Sequence, residues 1–178
     1  TIALGRRRLQ SATEALIEFY LVEGALELHG GVWPQRLLRH QAKEWTTVDL
    51  FALTMDYLKF EQESDTIYTD FVQMPAKVLR NVSRQFLFAA KDERVLFVGD
   101  QSLLGNGKQG FAMTDVAIYW RPVLQSAQSL LYQDIASLQV KGDHLLINGR
   151  YFDGGQSLNL KLALLLRRLK TMITAYAA

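Results

Sequence analysis

The chain has 178 residues, of which 20 are Lys or Arg and 18 are Asp or Glu, for a formal charge of +2. So even a balance gives no reason to expect a nucleic-acid partner, and the absence of cysteine excludes disulfides, thiolate metal sites and cysteine nucleophiles. With 49% hydrophobic and 21% charged residues the chain can bury a real core in one domain or two small ones. No apolar run approaches the ~20 residues that span a bilayer, and Arg6-Arg7-Arg8 is not followed by a signal-peptide core, so a cytoplasmic protein is expected.

Residues 1–92 read as a helical region. Leu9, Ala12, Leu16, Phe19, Tyr20 and Leu26 form an apolar stripe that Gly30-Gly31 stops, and Pro34 opens a second helix carrying Leu37, Leu38, Ala42 and Trp45. Thr46-Thr47-Val48-Asp49 resembles a capping box, after which Val48, Phe51, Ala52 and Met55 recur at helical spacing. The acidic stretch 61–70 reads as a loop or short irregular helix. Pro75 starts another helix with Val78, Leu79, Val82, Phe86 and Ala90 on one face. Lys91-Asp92-Glu93 is the hinge, which divides the chain into a helical region, 1–92, and a β-rich domain, 93–178.

Val95-Leu96-Phe97-Val98 is a β-branched and aromatic strand that Gly99-Asp100 breaks. Gly105, Gly107 and Gly110 spell G-x-G-x-x-G. The motif binds dinucleotides where its last glycine opens a helix; here Phe111-Ala112-Met113, a strand, follows. The segment therefore reads as a flexible hairpin loop. Lys108 has no Ser or Thr after it, so it is no Walker lysine either. Thr114-Asp115 is a turn, and Val116, Ile118 and Trp120 then alternate with Ala117, Tyr119 and Arg121 until Pro122 ends the strand. Short strands follow at Leu130-Leu131-Tyr132, Leu138-Gln139-Val140, His144 to Ile147 and Arg150-Tyr151-Phe152, with Asn148-Gly149 as a two-residue hairpin turn. Ser157 is expected to cap a terminal helix with Leu158, Leu162, Leu165, Leu166, Leu169 and Ile173 inward. The fold class is α+β: a helical region, then about seven antiparallel strands capped by a helix.

About seven short strands and one amphipathic helix, with Met113-Thr114-Asp115 leading into Ala117-Ile118-Tyr119-Trp120 and a later Tyr132-Gln133-Asp134-Ile135, resemble the bacterial pleckstrin-homology-like (PH-like) domains. The resemblance covers about 93–175 and implies a barrel or sandwich used as a binding or assembly module. It implies a binding edge in the groove between an edge strand and the terminal helix. It also implies that basic residues around the first hairpin are the place to seek a ligand: Lys108 and Asn106 in the glycine loop, with Arg94 and Arg121 on the adjoining strands. Lipid-specific members carry several basic residues in that loop, and this loop has one.

No catalytic constellation can be assembled. His29, His40 and His144 do not pair at metal-ligand spacing. The acidic pairs Glu61/Glu63 and Asp65/Asp70 sit in a solvated stretch, and Ser102 lacks the nucleophile-elbow pattern. Trp33, Trp45 and Trp120 read as core or interface anchors. The expected function is therefore non-catalytic, with no cofactor or metal: an adaptor or regulatory protein acting by protein–protein contact, with self-association a further partner class. The alternative is peripheral binding to anionic lipid through Lys108 and Arg6-Arg7-Arg8. An enzyme site in the helical half, near Trp33, His40 and Asp49, is the remaining reading.

Overall fold

A computed structural model describes residues 48–63 and 65–176. The expectations for Leu9 to Leu26, Gly30-Gly31, Pro34, the Thr46-Thr47 cap, Trp33, Trp45, His29, His40 and Arg6-Arg7-Arg8 lie outside those residues.

Helix α1 (Leu50–Leu58) starts at Asp49, whose carboxylate accepts the Ala52 amide at 3.1 Å. It stops at Lys59, which adopts a left-handed φ of 45° and returns its N–H to the Met55 carbonyl. Its buried face is Leu50, Leu53 and Leu58; of the expected Val48/Phe51/Ala52/Met55 stripe, Val48 and Met55 pack partly buried against the same core, whereas Phe51 is exposed. The reason is tertiary, because the terminal helix packs on the leucine side. After a 3₁₀ turn, Phe60–Gln62, the acidic stretch forms a short strand, β1 (Thr66–Tyr68). Helix α2 (Ala76–Gln85) follows Pro75 as expected.

Seven strands follow: β2 (Val95–Asp100), β3 (Gly110–Thr114), β4 (Ala117–Arg121), β5 (Gln128–Leu131), β6 (Leu138–Lys141), β7 (His144–Ile147) and β8 (Arg150–Phe152). They make two antiparallel sheets, ordered β1-β2-β3-β4-β5 and β6-β7-β8. Gly99 and Asp100 do not break β2; they pair with Phe111 and Gly110. Gly99 is there because the Phe111 ring lies over it: a Cβ would come within 2.6 Å of Phe111 Cε1. Asn148 and Gly149 both take positive φ, 50° and 76°, as the two-residue turn between β7 and β8 requires. The Asn148 side chain also accepts the Ala136 and Ser137 amides at 2.7 and 2.9 Å.

The chain ends in α3 (Gln156–Tyr176). Ser157 does not cap it. The helix is entered from Gly155, whose carbonyl accepts the Asn159 amide at 2.9 Å. The Ser157 hydroxyl instead donates to Glu63 Oε1 at 3.0 Å, where Lys161 Nζ also binds at 2.7 Å. Both side chains of that ion pair are nearly buried.

The five-stranded sheet is covered on both faces. Phe97, Phe111, Ile118, Trp120 and Leu130 face the second sheet, α1 and the α3 leucines. Phe60, Phe97, Phe111 and Phe152 form an edge-to-face chain with centroids 4.7 to 5.4 Å apart. Val98, Ala112, Ala117 and Tyr119 face the other way, onto Val78, Val82 and Phe86 of α2 and its C-terminal end. The alternation in β4 is thus real, but neither face is solvated. Trp120 is a core residue, with its indole N–H donating to the Tyr151 carbonyl at 2.8 Å. The expected boundary at 92/93 separates elements that share these cores: α1 and α2 pack with the strands, and all described residues fall within the compact unit Lys43–Ala178.

Candidate functional site

Strand pairing gathers two loops at one end of the larger sheet. Asp100 pairs with Gly110, Gly110 with Arg121 and Trp120 with Gln128, so the β2–β3 loop (101–109) and the β4–β5 loop (122–127) leave side by side.

The first loop is fastened, not the flexible hairpin its glycines suggest. Asp100 is buried, and its carboxylate accepts the Ser102 amide at 2.9 Å, the Ser102 hydroxyl, and the Gly107 amide at 3.0 Å. The Ser102 oxygen in turn accepts the Asn106 and Gly107 amides at 2.8 and 3.0 Å. A carboxylate that collects backbone N–H groups in this way fixes a loop without a cation. Asn81 of α2 clasps the loop from outside, donating to the Asn106 carbonyl at 2.6 Å.

Three of the four predicted ligand residues belong to this end. Lys108 is exposed, and its own amide is held by Asn106 Oδ1 at 3.2 Å. Arg121 is half-buried; it donates to the Gln125 carbonyl at 3.2 Å and to the Gln85 side chain. Arg94 lies elsewhere. It precedes Val95, at the far end of a six-residue strand, about 20 Å away at 3.3 Å per residue. There its backbone exchanges hydrogen bonds with Asp115.

A cleft of about 490 Å³ opens beside the loops, lined by Gln101, Gln109, Arg121, Val123, Tyr151 and Asp153 among others. Gln101 Nε2 spans it, donating to Asp65 Oδ2 at 3.0 Å and to the Asp153 carbonyl at 3.1 Å. The Tyr151 hydroxyl donates to Asp153 Oδ2 at 3.3 Å. Its pKa is raised, first by desolvation and then by the Asp153 charge and hydrogen bond. Amides, carboxylates and one guanidinium can hydrogen-bond a peptide backbone or a polar side chain. Among the described residues no group of three or more His, Asp or Glu is placed to hold a metal ion.

Both loops also hold aliphatic side chains out in solvent, of which Val123 lines the cleft. Leu103 and Leu104 on the first loop are 98% and 81% exposed, and Val123 and Leu124 on the second are 61% and 97% exposed. Sequence reasoning passed over these four, because in a loop they carry no periodicity. It also passed over the outer side of α2, where Lys77, Arg80 and Arg84 stand in solvent. The readable signal was AKVLRNVSRQ itself, with three cations and no acid.

No family model, no curated protein and no solved structure matches this chain. Among the described residues no helix is long and apolar enough to cross a membrane.

Proposed function

We propose that the unit is a non-catalytic binding module, an adaptor or regulator that grips a protein partner at the loop end of its larger sheet. The observation that carries this reading is the pair of aliphatic loops at this end, with Leu103 and Leu124 almost wholly exposed and Val123 lining a polar cleft. Side chains of that kind held out into water cost free energy, and covering them recovers about 25 cal/mol per Å² of apolar surface. A cleft with convergent hydrogen-bonding groups supplies the register that an apolar contact lacks. Seven strands, β2 to β8, followed by α3 keep the order of the PH-like resemblance, which supports the same class of function. The contact surface moves from the groove beside the terminal helix to the loop end. A second reading, peripheral contact with anionic lipid, draws on exposed Lys108 beside Leu103 and Leu104.

The test compares complexes recovered by cross-linking from native extract with the parent protein and with V123S/L124S. A stoichiometric protein partner that the variant loses is the expected result. An identical partner set from both proteins, or substrate turnover by the pure protein, overturns the reading.

A further inference from the structure

The outer side of α2 has a charge pattern that helix stability accounts for only at Arg84, which stands in the last turn, where the dipole favours a cation. Lys77, Arg80 and Arg84 fall at i, i+3 and i+7, so they form one stripe on the solvent side, opposite buried Val78 and Val82. Among the described residues none of the three, nor Lys108, is held in a salt bridge. Lys77 stands in the first turn, where the helix dipole disfavours a cation, and Arg80 and Arg84 are like charges one turn apart. The stripe borders the Asn81–Gln85 side of the helix. That side is tied to the β2–β3 loop through the Asn106 carbonyl and to Arg121. Lys108, Leu103 and Leu104 stand exposed on that same loop.

We propose that α2 and the β2–β3 loop form a docking track for an acidic segment of a protein partner. Its carboxylates pair with Lys77, Arg80, Arg84 and Lys108, and its aliphatic side chains cover Leu103 and Leu104. This deepens the protein-binding reading above and rests on it. Guanidinium groups match carboxylates two bonds at a time, which suits two arginines spaced one turn apart. The stripe is about 10 Å long at 1.5 Å per residue, the length of a short segment. A flat anionic bilayer seated on this end would also confront Asp65 and Asp153 at the cleft, whereas a narrow segment along α2 meets a helix with three cations and no acid.

The experiment measures binding of a fluorescent peptide built of alternating glutamate and leucine pairs, with a lysine–leucine peptide and phosphatidylserine vesicles as controls. The acidic peptide is expected to bind the parent protein in a salt-sensitive way. R80E/R84E is expected to weaken it by about tenfold, and the lysine–leucine peptide is expected not to bind. Circular dichroism should not change, since both arginines face solvent, and the melting point should fall by only about 1–4 °C, because Arg84→Glu opposes the dipole in the last turn; K77E serves as a second, single-site variant. Equal affinity of R80E/R84E and parent, or vesicle binding without peptide binding, overturns the inference. If the cross-linked partner is retained by R80E/R84E but lost by V123S/L124S, the acidic-segment inference falls and the protein-binding reading stands. If neither variant loses it, both fall.

Discussion

Gly107→Ala probes whether the β2–β3 loop is truly seated on α2. Gly107 is buried with φ at +69°, and a Cβ there would lie 2.9 Å from Val78 Cγ1, from the Val78 carbonyl and from Val82 Cγ2. Two penalties add. A side chain at left-handed φ costs about 1–2 kcal/mol, and forcing a methyl into a filled space costs about 1–3 kcal/mol. Gly105 is the internal control: its φ is +58°, and nothing lies within 4 Å of its would-be Cβ. Gly105→Ala therefore bears only the first penalty, and the unfolded-state benefit of about 0.4–1 kcal/mol applies to both variants alike. The difference between them isolates the packing of loop on helix at about 1–3 kcal/mol. For a unit of this size that is about 3–12 °C in melting temperature, at about 3–4 °C per kcal/mol. Thermal and urea unfolding followed by circular dichroism measures both variants against the parent. Equal destabilisation by the two alanines would refute the docked loop and return this segment to an open hairpin.

Two further outcomes follow from the cores. Ile118→Asp places a carboxylate at a fully buried position between the sheets, and a loss of more than about 4 kcal/mol is expected. Far-ultraviolet circular dichroism in urea reports it, and a cooperative transition near the parent midpoint would contradict the core assignment. Tyr119 donates to Glu93, and burial first, with that hydrogen bond and charge, pushes its pKa from 10.0 up to about 12. The folded state then keeps a proton that the unfolded state releases, so this contribution is intact below pH 10 and disappears as pH rises towards 12. Tyr119→Phe should fall less steeply than the parent over that window in urea titrations. Identical slopes would mean that the tyrosine is not held in this way.

Much of the fold could be read from local pattern, and the misreadings share a cause. The strands at 110–114, 117–121, 138–141, 144–147 and 150–152 were legible because alternation and turn residues bracket them. Gly99-Asp100 looked like a break because glycine reads as punctuation, whereas an aromatic ring occupies the space its side chain would fill. Strand β1, three residues long, is too short to show a period. Ser157 had the right chemistry for a cap, yet its partner is Glu63, almost a hundred positions earlier. The same distance effect hid the binding end. Asp100 and Gly107 become one clamp only when the strand pairs, and Arg94, grouped with Lys108 as a neighbour on an adjoining strand, stands at the far end of that strand. The four exposed aliphatics and the α2 stripe needed a surface before they meant anything.

Helix α3 delivers Leu158, Leu162, Leu165, Leu166 and Leu169 to the larger core, and it is synthesised after every strand it covers. During translation both sheets can pair while their shared interior still lacks its lid, and the Glu63 carboxylate waits for Lys161. At about 5–20 residues per second, the nascent domain passes through an interval in which its aromatic chain is exposed to neighbours. The helix that closes the fold is thus made after the surface it covers, and a ribosome that stalls before α3 holds out a sheet with its most apolar side open.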